Sequence, residues 1–149
     1  MQTKFSFFHL FLALCLMAGG GFFQASATPV GVAQPASAEP SVLSIVRGGA
    51  SPTNAQKVEF IVTFSEPVTG VDIGDFAPVI SGVGYVLVTD VCGSGSVYIV
   101  SVFTGYGDGW LGLDLVDNDT IHGGSGEALG GNGMYNGNFS GTEAYIIER

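Results

Sequence analysis

Basic residues are scarce in this chain. Lys and Arg together number 4 against 13 Asp and Glu in 149 residues, a formal charge of -9 with an isoelectric point near 4.2. Too few cations are present to neutralise a run of phosphates, which excludes nucleic acid as a partner. Charged residues of either sign make up only 11% of the sequence, too few to solvate long exposed helices. No segment after Ser41 sustains a 3.6-residue apolar repeat for three turns, so a doubly wound α/β sheet is excluded as well. Histidine occurs only at His9 and His122. A Ser-His or Cys-His pair in the body of the chain would therefore have one possible base, His122, in a polar, Gly-rich stretch. No glycine-rich stretch ends in Gly-Lys-Ser/Thr, so no phosphate cradle is expected. These shortages together predict a protein that is not an enzyme.

What the chain does have is glycine, 24 residues of it, with Val, Thr and Ser between. That composition suits short strands joined by tight turns. The N-terminus is organised differently. Lys4 precedes an uncharged run from Phe5 to Phe23, and Ala25-Ser26-Ala27 then supplies the small-x-small pattern read by signal peptidase. Residues 1–27 are read as a signal peptide cleaved after Ala27, so the mature protein is expected to be secreted or at the cell surface. Because the run ends in Gly19-Gly20-Gly21 and lacks a basic stop-transfer flank, no membrane span is expected in the mature chain. Cleavage removes Lys4 and Cys15, leaving Cys92 as the only cysteine, and no disulfide is expected within the mature chain. Residues 28–40, with Pro29, Pro35 and Pro40 and no apolar period, read as a linker.

Residues 41–149 read as one domain. The clearest strand is Val58–Ser65, where Val58, Phe60, Val62 and Phe64 fall on one face and Glu59, Thr63 and Ser65 on the other. The same alternation recurs at Tyr98, Val100 and Val102, and at Leu111, Leu113 and Leu115. Weaker runs lie at Val42–Arg47, Gly84–Val91 and Glu143–Glu148, with a short extended piece at Phe76–Ile80. About seven strands result, and their spacing predicts an all-β sandwich or barrel. Glu66-Pro67 is expected to end the long strand, because proline cannot donate to a ladder.

Several of these segments resemble the bacterial immunoglobulin-like (Big-type) domain of exported and cell-surface proteins. The resemblance covers about residues 41–148. It is carried by Ser51-Pro52-Thr53-Asn54, by Val62-Thr63-Phe64-Ser65-Glu66-Pro67-Val68 with Asp75-Phe76 after it, and by Leu113-Asp114-Leu115-Val116-Asp117-Asn118-Asp119 leading to Leu129-Gly130-Gly131. It implies an immunoglobulin-like Greek-key β-sandwich used for adhesion, spacing or display, with a surface protein or glycan as partner and no catalytic residues.

Two constellations could carry binding. Asp114, Asp117, Asp119 and Glu127 form the densest set of oxygen ligands and are the calcium candidates, since calcium takes 6–8 oxygens from such loops. An EF-hand register from Asp117 fails, with Ile121 at a ligand position and Ala128 at the twelfth; an Asx-rich turn closing the strand fits the same residues. No other cofactor is expected. Trp110, Tyr106 and Tyr135, lying in or beside Gly-rich stretches, could offer flat rings to a sugar, or could simply pack at the rim of the core.

Overall fold

The computed structural model describes residues 38–149. The expected signal peptide at 1–27 and all but the last three residues of the expected linker lie outside the described residues. Ten strands follow in order: β1 (Val42–Arg47), β2 (Lys57–Phe64), β3 (Val68–Thr69), β4 (Phe76–Ser81), β5 (Leu87–Ser94), β6 (Val97–Phe103), β7 (Gly109–Leu115), β8 (His122–Gly123), β9 (Phe139–Ser140) and β10 (Tyr145–Ile147). A 3-10 turn at Ile73–Asp75 leads into β4. There is no α-helix among the described residues.

The strands form two antiparallel sheets packed face to face, an all-β sandwich. One sheet has the order β1-β2-β6-β5; in the other β10 and β4 flank β7, and β9 pairs with β7 on the β10 side. The two-residue strands β3 and β8 make a small ribbon of their own. With β9 and β10 counted as one interrupted edge and the ribbon set aside, seven strands remain. Lettered along the chain, they stand in the order A-B-E-D in one sheet and C-F-G in the other.

The alternation in the sequence explains the core. Val58, Phe60, Val62 and Phe64 of β2 are all buried, while Glu59, Ile61 and Thr63 between them are partly open. In register beside them, Val62 faces Tyr98 and Phe60 faces Val100 of β6. Across the sandwich stand Leu111, Leu113 and Leu115 of β7, each buried. Complete burial of such a side chain contributes roughly 1.5–3 kcal/mol. The sheets are also locked by aromatic contact: the Phe60 ring meets Tyr145 of β10 edge-on, 5.2 Å between centroids at 83°. The buried Tyr145 hydroxyl donates to the Glu59 carbonyl and accepts from the Gly49 N–H, both at 2.7 Å. Arg47 lies over the outer side of the same ring, 5.9 Å from its centroid, and bonds Glu143 at 3.3 Å.

β2 ends at Phe64, two residues before Glu66-Pro67. Pro78 is accommodated because β4 is an edge strand, paired only with β7. β5 and β6 join through the two-residue loop Gly95-Ser96, where Gly95 takes φ +70°, the positive value that such hairpins require at the first loop position. The run expected at Gly84–Val91 begins later and ends later, at Leu87–Ser94. Tyr85 takes φ +59°, outside strand geometry, and Gly84 is instead bridged to Tyr106. Cys92 of β5 is disulfide-bonded, where no disulfide was expected in the mature chain, and its partner lies outside the described residues. It therefore makes no link between the two sheets.

Candidate functional site

The last residues of β7 and the connection that follows gather most of the acids singled out above. Asp114, partly open on the outer face of its sheet, accepts from the Gly141 N–H at 3.1 Å and the Ser140 hydroxyl at 3.3 Å. Asp117 is buried. One of its oxygens accepts from the Asp119 N–H at 3.1 Å and the other from the Gly137 N–H at 3.2 Å. Its own N–H is taken by the Asn138 side chain at 2.8 Å. Asp119 adopts φ +63° and receives the Gly133 N–H on both carboxylate oxygens, at 3.1 and 3.2 Å. Glu127 is exposed in the turn after β8, and its carbonyl accepts from the Gly123 N–H. The structure thus brings Asp117 and Asp119 into one Asx turn, leaves Asp114 up the strand, and places Glu127 in a different hairpin. No group of three or more His, Cys, Asp or Glu positioned to hold a metal ion occurs among the described residues. The carboxylates of Asp114, Asp117 and Asp119 accept backbone N–H groups of the surrounding loops.

One acid passed over in the sequence is more deeply placed than any candidate. Asp75 is completely buried at the end of the 3-10 turn. Its carboxylate accepts from the Asp72 N–H at 2.8 Å while the Asp72 side chain accepts from the Gly74 N–H, a capping box. The Thr120 hydroxyl lies 3.1 Å from its other oxygen. Burial holds the Asp75 carboxyl above its ordinary range, only partly offset by the Asp72 N–H and Thr120 bonds, and the nearby Asp72 charge pushes it the same way as burial. The Asp72-x-x-Asp75 spacing was legible; its burial was not. Glu143, by contrast, sits below the usual carboxylate range because the Arg47 N–H and then its guanidinium bond it. Burial raises the Tyr98 and Tyr145 phenols. His122 lies on β8, its Nδ1 at 3.0 Å from the Thr120 carbonyl.

The three aromatic candidates separate. Trp110 projects from the outer face of the three-stranded sheet, 39% exposed, paired across the strands with Ile146 and Ser81. A Cβ placed on Gly112 would stand 3.5 Å from the Trp110 ring and 3.9 Å from Ala144, so the indole lies along the sheet over a strip of small residues. Tyr106, 70% exposed, precedes β7 and packs its ring against Gly84, whose backbone pairs with its own at 2.8 and 3.0 Å. Tyr135 follows the far end of β7, where its N–H meets the Asp117 carbonyl. The seven residues of β7 between the two ends span roughly 20 Å. No one ligand face can hold all three rings. Tyr85, 67% exposed beside Phe103, is the ring that sequence reasoning missed at the Tyr106 end. On the other flank a cleft of about 290 Å³ opens beside Tyr145, with Lys57 and Glu59 in its wall.

No family model, no curated protein and no solved structure matches this chain.

Proposed function

We propose that this chain is a non-catalytic, exported immunoglobulin-like module that serves adhesion, spacing or display at the bacterial cell surface, and that its contact surface is the outer face of the three-stranded sheet around Trp110. The observation that carries this reading is the exposed cross-strand pair of Trp110 on the central strand β7 and Ile146 on its neighbour β10, with 39% and 46% of their surfaces open. A large ring held flat by a sheet presents much apolar area while giving up little conformational freedom on binding, which is why Trp and Tyr dominate interface energetics. The strand order, A-B-E-D and C-F-G, is the one a constant-type immunoglobulin sandwich uses, and it supports the immunoglobulin-like part of the reading. The export signal legible in residues 1–27 supports the location.

A glycan is the second reading, favoured by the flat presentation of the indole over Gly112, which suits stacking of a sugar ring. The test is binding of the secreted protein to a glycan array and, in parallel, to intact cells, for the parent, Trp110→Ala and Tyr135→Ala. Loss of Trp110 is expected to weaken whichever binding is found by about tenfold or more, while Tyr135→Ala leaves it unchanged. Undiminished binding by a folded Trp110→Ala protein would move the contact surface elsewhere. Binding to the array points to the glycan reading, and binding to cells that survives removal of surface glycans points to a protein partner.

A further inference from the structure

The chain contains two Asn-Gly dipeptides, Asn132-Gly133 and Asn136-Gly137, four residues apart in one loop. Asn-Gly is chemically fragile. The peptide nitrogen of the glycine, on losing its proton, attacks the asparagine Cγ; the new N–Cγ bond forms as the Cγ–Nδ2 bond breaks. The displaced proton leaves with the side-chain nitrogen as ammonia. Water then opens the cyclic imide at either carbonyl, giving aspartate or isoaspartate. Glycine favours the step because it lacks a Cβ to crowd the ring closure. Both asparagines are exposed, so burial does not protect them.

The attacking nitrogen is, however, engaged at both sites. The Gly133 N–H is donated to both oxygens of Asp119 at 3.1 and 3.2 Å, and the Gly137 N–H to Asp117 at 3.2 Å. A carboxylate bonded to an N–H stabilises the protonated nitrogen and opposes its conversion to the anion that must attack. Asn136 is held at a second point, because its Nδ2 donates to the Gly131 carbonyl at 3.1 Å and the amide is fixed away from the following nitrogen. Asp117 is buried, whereas Asp119 is partly open, so the clamp on Gly137 is less screened than the clamp on Gly133.

We infer that Asp117 and Asp119 are positioning residues that protect the two Asn-Gly sites of the 131–137 loop from deamidation, Asp119 guarding Asn132 and Asp117 guarding Asn136. The order of rates follows: in the folded protein Asn132 deamidates more slowly than in a free peptide, and Asn136 more slowly still. A charge-assisted bond of this kind lowers a rate that requires its rupture by about ten- to a hundredfold.

The experiment incubates the secreted protein, folded and in urea, at mildly alkaline pH and follows each site by peptide mass spectrometry, with isoaspartate as the second readout. Folding is expected to slow Asn132 by at least about tenfold and Asn136 by more. Asp119→Ala should bring Asn132 toward its rate in urea while leaving Asn136 at the parent rate. Asp119→Asn, which keeps the turn and an acceptor oxygen without the charge, should fall between. That site selectivity separates the clamp from general loosening, which would speed both sites together. Should Asp117→Asn fail to fold, the folded-to-urea ratios and the Asp119 variants still decide the matter. Equal rates at Asn132 in folded and unfolded protein, or parallel acceleration of both sites by Asp119→Ala, would overturn the inference.

Discussion

Replacing Asp75 by Asn should stabilise this protein at neutral pH and leave it unchanged in acid. The reason lies in a buried charge. The Asp75 carboxylate accepts the Asp72 N–H at 2.8 Å, and the Thr120 hydroxyl, 3.1 Å from its other oxygen, divides its one proton between Asp75 and the Asn118 side-chain oxygen. Burial raises the Asp75 carboxyl above its ordinary value, with the Asp72 charge acting in the same sense. The folded protein thus binds this proton more tightly than the unfolded chain does. The contribution to stability is complete below the unfolded value, about 3.9, and is lost as pH rises through the folded value. An asparagine side chain copies the protonated acid at every pH: its oxygen takes the Asp72 N–H and its amide donates to Thr120. At pH 7 the gain should match the cost of a poorly served buried polar group, about 1–3 kcal/mol. Urea denaturation of both proteins between pH 3.5 and 7 measures it, and the difference between them cancels the titration of every shared carboxylate. Asp75→Ala, which strands both partners, should be destabilising throughout. A difference between parent and Asp75→Asn that does not change with pH would refute this reasoning.

The remaining predictions concern the core. Phe64→Ala should cost about 3–5 kcal/mol in the same urea assay, since Phe64 is buried and stands edge-on to Tyr98 at 5.8 Å; Thr63→Ala, on the partly open face, should cost under about 1 kcal/mol. Equal losses would mean that the faces of β2 are assigned wrongly. Tyr145→Phe keeps the ring against Phe60 but removes the hydroxyl that accepts from the Gly49 N–H and donates to the Glu59 carbonyl, at a cost of about 0.5–1.5 kcal/mol in thermal or urea melts. A variant that melts like its parent would show that this hydroxyl is dispensable.

How much of this could be read in advance varies with the length of the pattern. β2, β6 and β7 were legible because each shows three or four apolar residues at strict alternation, and β1 was placed at Val42–Arg47 to the residue. β3, β8 and β9 have two residues each, too few to carry a period; they exist because other strands bring them together. The start of β5 was misplaced because a tyrosine at positive φ leaves no mark in composition. Among site residues, the chemistry of Asp114, Asp117 and Asp119 was visible and their partners were not. Gly137 and Gly133 reach those carboxylates only once β9 has returned to β7, some twenty residues on. The separation of Trp110 from Tyr135 likewise depends on β7 standing between them as an extended strand.

The acidity of the chain then acquires a structural reason that charge counting could not give. Between Val116 and Phe139 only the two residues of β8 are in a named strand, so most backbone N–H groups there have no ladder to join, and stranding them in the sandwich's end would be costly. Asp and Asn side chains take the place of the ladder. The N–H groups of Asp117, Asp119, Thr120, Gly133, Gly137 and Gly141 are received by Asn138, Asp117, Asn118, Asp119, Asp117 and Asp114 respectively. Glycine and aspartate are therefore two halves of one device: glycine lets the chain turn where a strand cannot follow, and the carboxylates bind the N–H groups that such turns expose. Carboxylates committed in this way stabilise one end of the sandwich. Under the proposed reading, the contact with a partner falls instead to Trp110 and Ile146, which stand open on the outer face of the three-stranded sheet.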